Sequence, residues 1–103
     1  MKRNMRIILI PLLLLLFATG FSTGRTGEGQ ALYEHHCARC HGADGTRGMF
    51  GAKNLQKSLL PDTAIALQIM NGKRIMPPFK KKLTPDQINE LSAYVKTLRK
   101  PAI

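Results

Sequence analysis

Cys37, Cys40 and His41 stand in the run Cys37-Ala38-Arg39-Cys40-His41, and this C-x-x-C-H spacing constrains the chain more than any other feature. On a helix, positions i, i+3 and i+4 share one face, so two sulfurs and an imidazole point the same way. The pattern is the one at which haem c is attached. Its two thiols add to the two vinyl groups of one porphyrin, while His41 reaches the iron from the same side. Other chemistry could use the same letters. A thioredoxin-like redox pair needs strand and helix surroundings that the flanking sequence does not supply. A zinc site could draw on His35, His36, Cys37, Cys40 and His41, but structural zinc usually takes two separated ligand pairs and no second pair is present. A disulfide across two residues would be strained and would leave the adjacent histidine without a role.

The first residues read as an export signal. Lys2, Arg3 and Arg6 precede an apolar run from Ile7 to Ala18, and Ala18-Thr19-Gly20 offers the small residues of a cleavage site. Twelve apolar residues are short for a membrane span and ordinary for a signal-peptide core. The alternative is an uncleaved anchor in the inner membrane. Residues 1–20 are thus assigned to the signal, 21–27 to a flexible lead-in, 28–100 to one domain and 101–103 to a tail. Cleavage after Gly20 would leave 83 residues, too few for a large core. With both cysteines committed, a bound macrocycle must supply much of that core, and the haem-free chain is expected to fold poorly.

Charge narrows the partners. The chain has 16 Lys and Arg against six Asp and Glu, for a net +10. Three of those basic residues lie in the signal, so thirteen remain against six. Such an excess suits an anionic surface or an acidic protein. Nucleic acid does not fit an exported chain with no recognition helix or aromatic platform.

Beyond the signal the only clear periodicity is helical, and no strand signal stands out. Gln30 to Cys40 reads as a helix, closed by Gly42-Ala43-Asp44-Gly45. Thr46 to Leu60 is irregular, with Leu55, Leu59 and Leu60 as its inward-facing residues. A second helix starts at Pro61-Asp62-Thr63, capped by Asp62 or Thr63. It carries Ile65, Leu67, Ile69 and Met70 and stops at Asn71-Gly72. Met76-Pro77-Pro78-Phe79 lies in the following loop. Thr84-Pro85-Asp86-Gln87 opens the last helix with a capping box and a first-position proline. Its stripe is Ile88, Leu91, Val95 and Leu98, and Pro101 ends it. The expectation is an all-α domain of three main helices around one covalently bound haem c.

This order of features resembles the small single-haem class I cytochromes c of bacteria over most of Gly27 to Leu98. In that family a glycine eight residues and an aromatic four residues before the first cysteine occur at positions matched by Gly29 and Tyr33. The family's Leu-x-x-aromatic unit in the last helix is matched by Leu91-Ser92-Ala93-Tyr94. A glycine at that crossing lets two helix backbones approach closely. The resemblance implies that Met76 is the sixth iron ligand, opposite His41, since haem iron held by His and Met is the cytochrome c arrangement. Pro77 also disfavours a helical Met76 and stiffens the loop. Met70, His35 and His36 remain alternatives, with Met70 reading as core and the two histidines as solvent-facing. Met49 reads as a contact at the haem edge. One departure stands out: Lys53 occupies the place where the family often has a proline whose carbonyl accepts the proximal histidine's ring N–H. Any residue has such a carbonyl.

An iron with both axial positions filled suits electron transfer, not catalysis. The expected role is a periplasmic electron carrier or an electron-transfer subunit, not an enzyme, with redox proteins as partners. Lys80-Lys81-Lys82 reads either as a basic ring that steers acidic docking surfaces or as a solvated loop. A haem enzyme or sensor with a labile sixth ligand is the alternative function, and a non-haem metal module a further one.

Overall fold

The computed structural model describes residues 26–101, so the proposed signal and most of the lead-in lie outside the described residues. Its elements in chain order are α1 (Thr26–His36), α2 (Ala38–His41), two 3-10 turns (Met49–Gly51 and Leu55–Lys57), α3 (Asp62–Asn71) and α4 (Pro85–Thr97). Among the described residues there are no strands; a lone bridge pairs Lys73 with Met76. The three main helices are α1, α3 and α4, in agreement with the all-α expectation.

The crossing of α1 and α4 organises the rest. Gly29 is buried there. A β-carbon at this position would run into the Glu90 carbonyl oxygen and come within 3.0 Å of the Tyr94 β-carbon. The two backbones therefore meet where α1 has no side chain, as the pairing of Gly29 with Leu91-Ser92-Ala93-Tyr94 anticipated. Tyr33 and Leu91 are fully buried beside the crossing, and the Tyr33 and Tyr94 rings lie 5.2 Å apart. Ile65 and Ile69 of α3, Phe79 and Leu83 of the following loop, and Ile88 and Val95 of α4 complete the core. Each such side chain contributes about 1.5–3 kcal/mol through burial.

Local signals set the helix ends. The Thr84 hydroxyl accepts from the Gln87 N–H at 3.2 Å, and the Gln87 side chain accepts from the Thr84 N–H at 2.9 Å, completing the expected capping box with Pro85 at the first position. Gly72 closes α3 at φ 67°, where a left-handed residue ends the helix.

Several expectations need correction. Helix α1 begins at Thr26, not Gln30, and takes in the last two residues of the expected lead-in; Glu28 in its first turn favours the helix dipole there. It also breaks at Cys37, whose ψ is −35° but whose φ is −117°. Pro61, not Asp62 or Thr63, precedes α3, and no side chain caps it. Asp62 sits in the first turn instead and pairs with Lys96 of α4 at 2.5 Å. Leu67 faces outward, 55% exposed, whereas Ile65, Ala66, Ile69 and Met70 turn toward the core. Leu59 and Leu60 are exposed rather than inward. Pro61 keeps Leu60 out of helical geometry, and the Arg99 guanidinium donates to the Leu60 carbonyl, holding this stretch along the outside. Finally, α4 stops at Thr97, ahead of Pro101, as Leu98 closes onto Val95 in a tight final turn.

Candidate cofactor site

Helical spacing survives the break at Cys37. The His41 N–H donates to the Cys37 carbonyl at 3.0 Å, and the Cys37 N–H to the Tyr33 carbonyl at 2.8 Å. Cys37, Cys40 and His41 therefore share one turn, all three half-buried. Both thiols are free. Burial, then the neighbouring Cys40, pushes the Cys37 thiol up to about 12. A nucleophilic redox thiol needs the opposite shift, so the thioredoxin-like reading loses its chemistry. Among the described residues, no three His, Cys, Asp or Glu side chains form a group that could hold a metal ion. The zinc reading has no ligand set.

The His41 ring is aimed from behind. Its Nδ1 lies 3.0 Å from the Lys53 carbonyl oxygen. A carbonyl only accepts, so Nδ1 carries the proton and the Nε2 lone pair is left for a metal. Lys53 thus supplies through its backbone the acceptor that the family often takes from a proline at this place. The loop that delivers this carbonyl is closed on itself. The Leu55 N–H donates to the Gly45 carbonyl at 2.9 Å, the Gln56 side chain to the Asp44 carbonyl at 3.0 Å, and the Arg47 N–H to the His41 carbonyl at 2.8 Å.

Met76 is placed by the loop after α3. Lys73 and Met76 exchange two backbone hydrogen bonds at 3.0 Å each, around a turn in which Arg74 has φ 57°. This turn folds directly over Gly72: a β-carbon there would lie 2.5 Å from the Met76 carbonyl oxygen and 2.8 Å from Pro78 N. The Phe79 N–H donates to the Ile69 carbonyl and the Lys80 N–H to the Met70 carbonyl, which tie the far end of the loop to α3. Met76 is half-buried against the core, as is Met70. Among the histidines, His35 is exposed as expected, whereas His36 is half-buried, edge-on to Phe79 at 5.5 Å. His36 thus braces the loop that carries Met76, a role its sequence position gave no sign of. A groove of about 240 Å³ between α3 and α4 is lined by Asp62, Thr63, Ala66, Asn89, Ser92 and Ala93 and contains none of these groups.

The donor set fits haem c. Two free thiols stand three residues apart on one turn, an imidazole offers Nε2 beside them, and a thioether sits in a braced loop.

Comparison with known proteins agrees. Residues 24–95 match the family described as cytochrome C oxidase, cbb3-type, subunit III. The chain belongs to the c-type cytochromes. It is 36% identical to "Cytochrome c6" of Gloeothece citriformis (strain PCC 7424), over 88% of this chain and 93% of that protein. With "Cytochrome c6" of Nostoc sp. (strain PCC 7120) the identity is 34%, over 92% of each. The solved "KustC0563 c-type cytochrome" superposes with a TM-score of 0.65 at 34% identity, covering 70% of this chain and 98% of that one. This cytochrome is therefore a small monohaem class I protein with a covalently bound haem c, and its chemistry is electron transfer.

Proposed function

We propose that Cys37 and Cys40 would bind the haem through thioethers, that His41 and Met76 would hold its iron, and that the protein is an exported electron carrier. The observation that carries this reading is the His41 ring, fixed by Lys53 with Nε2 free beside two unpaired thiols. When bound, the haem supplies a one-electron iron couple. The chain's residues do the rest. With His41 and Met76 both holding the iron, no ligand site would remain for a substrate, which suits a carrier and not an enzyme. The backbone ties around Gly72 and the Lys53 carbonyl hold both side chains in braced segments, which suits transfer with little rearrangement.

The apolar run at Ile7 to Ala18 supports export to the periplasm, and among the described residues no helix is long and apolar enough to cross a membrane. Lys80, Lys81 and Lys82 are all exposed at the end of the loop that carries Met76. Their charge favours redox partners with acidic docking surfaces. The near-complete coverage of the two cytochrome c6 proteins supports a carrier over an oxidase subunit.

Carbon monoxide tests the ligand assignment. The ferrous protein should resist it, and Met76→Ala should bind it rapidly. Rapid binding by the unaltered protein would favour the enzyme or sensor reading and overturn this one.

A further inference from the structure

Tyr33 has a feature that its place in the core does not require. Its ring is fully buried, and packing against Tyr94 and Leu91 would be served equally by phenylalanine. Its hydroxyl nevertheless donates to the Gly42 carbonyl at 2.6 Å, nine residues along the chain. Gly42 directly follows His41. It is the point at which the backbone leaves α2, at φ 81°, and a β-carbon there would lie 2.9 Å from the Arg47 β-carbon. Its N–H is bound to the Ala38 carbonyl at 2.7 Å, so the Tyr33 hydroxyl fixes the other side of the residue. A second donor to the same carbonyl, the Gly45 N–H at 3.2 Å, starts the loop that returns Lys53 to His41.

We infer that the Tyr33 hydroxyl is a positioning group for His41: through Gly42 it ties the helix crossing to the loop whose Lys53 carbonyl orients the imidazole. The path is continuous. Tyr33 holds Gly42, Gly42 and Gly45 set the start of the loop, Gly45 receives Leu55, and Lys53 lies two residues before Leu55. Burial raises the Tyr33 phenol well above its usual range, so it stays a donor at any physiological pH. An acceptor on Nδ1–H strengthens the imidazole as an electron donor and favours ferric iron. Tyr33 thereby tunes the couple without touching the haem ligands. This inference rests on the reading that His41 holds the iron.

The test uses holoprotein with ¹⁵N-labelled histidine and the variant Tyr33→Phe, which keeps the ring. Strongly haem-shifted His41 ring resonances in the unaltered ferrous protein establish the underlying reading; their absence would overturn that reading independently. In Tyr33→Phe the His41 Nδ1 proton should exchange with solvent faster, and the midpoint potential should shift upward, both measured well below the unfolding temperature. Potential and exchange rate unchanged, with only thermal stability reduced, would show a purely structural hydroxyl and overturn the inference. Tyr94→Phe, whose ring packs against Tyr33, serves as the comparison: it should leave both readouts where they are, and a matching shift would also overturn the inference.

Discussion

At the scale of single residues, the chemistry depends on atoms that composition does not reveal. The proton on His41 Nδ1 is assigned by a carbonyl, and Gly72 is needed because the Met76 loop passes over its α-carbon. His36 shows the same dependence on surroundings. Burial first, then His35 and Lys82, hold its pKa below the ordinary 6.5. The folded protein thus keeps His36 neutral at a pH where the unfolded chain takes up a proton. The sign follows from linkage: stability is full above the unfolded pKa, declines as pH falls through it, and levels off below the folded value. His36→Gln should flatten the fall in Tm between about pH 7.5 and about pH 5. An unchanged slope would mean that His36 titrates alike in both states.

The helices were legible to different degrees, and the reasons are physical. The opening of α4 could be read from Thr84 to Gln87 because a capping box is a local pattern whose partners lie three residues apart. The stripe of Ile88, Leu91 and Val95 could be read because α4 buries one face. The break at Cys37 could not, since no glycine or proline marks it. Leu59, Leu60 and Leu67 misled for a related reason: hydrophobicity alone does not say whether a partner surface exists. The site divides likewise. The C-x-x-C-H run is contiguous and visible, whereas Tyr33 to Gly42, His41 to Lys53 and His36 to Phe79 link residues brought together only by the fold. The helix crossing makes a sharp prediction. Gly29→Ala would drive a methyl group into the Glu90 carbonyl, so the holoprotein should lose about 1–3 kcal/mol in denaturant unfolding. Unaltered stability would show that the crossing is looser than its geometry indicates.

For the whole molecule, charge and size take over. Among the described residues most Lys and Arg side chains are exposed, and Lys80 to Lys82 concentrate their charge next to the loop holding Met76. Steering by such a cluster is long-range and screened by salt. Changing all three lysines to glutamate should slow reduction by an acidic redox partner severalfold at low ionic strength, with the difference shrinking as salt is added. Equal rates at low salt would leave these lysines as solvated loop residues. The size argument points back to the haem. A domain this small, with no disulfide, usually needs a further staple for its core. The same group that completes the fold carries the electron. One absorption spectrum of protein matured with its haem-attachment machinery tests that claim most directly. The account predicts haem that stays with the chain after denaturation and, in the oxidised native protein, the weak far-red band of a methionine sulfur bound to iron. Haem released on denaturation, or a ferric spectrum without that band, would contradict it.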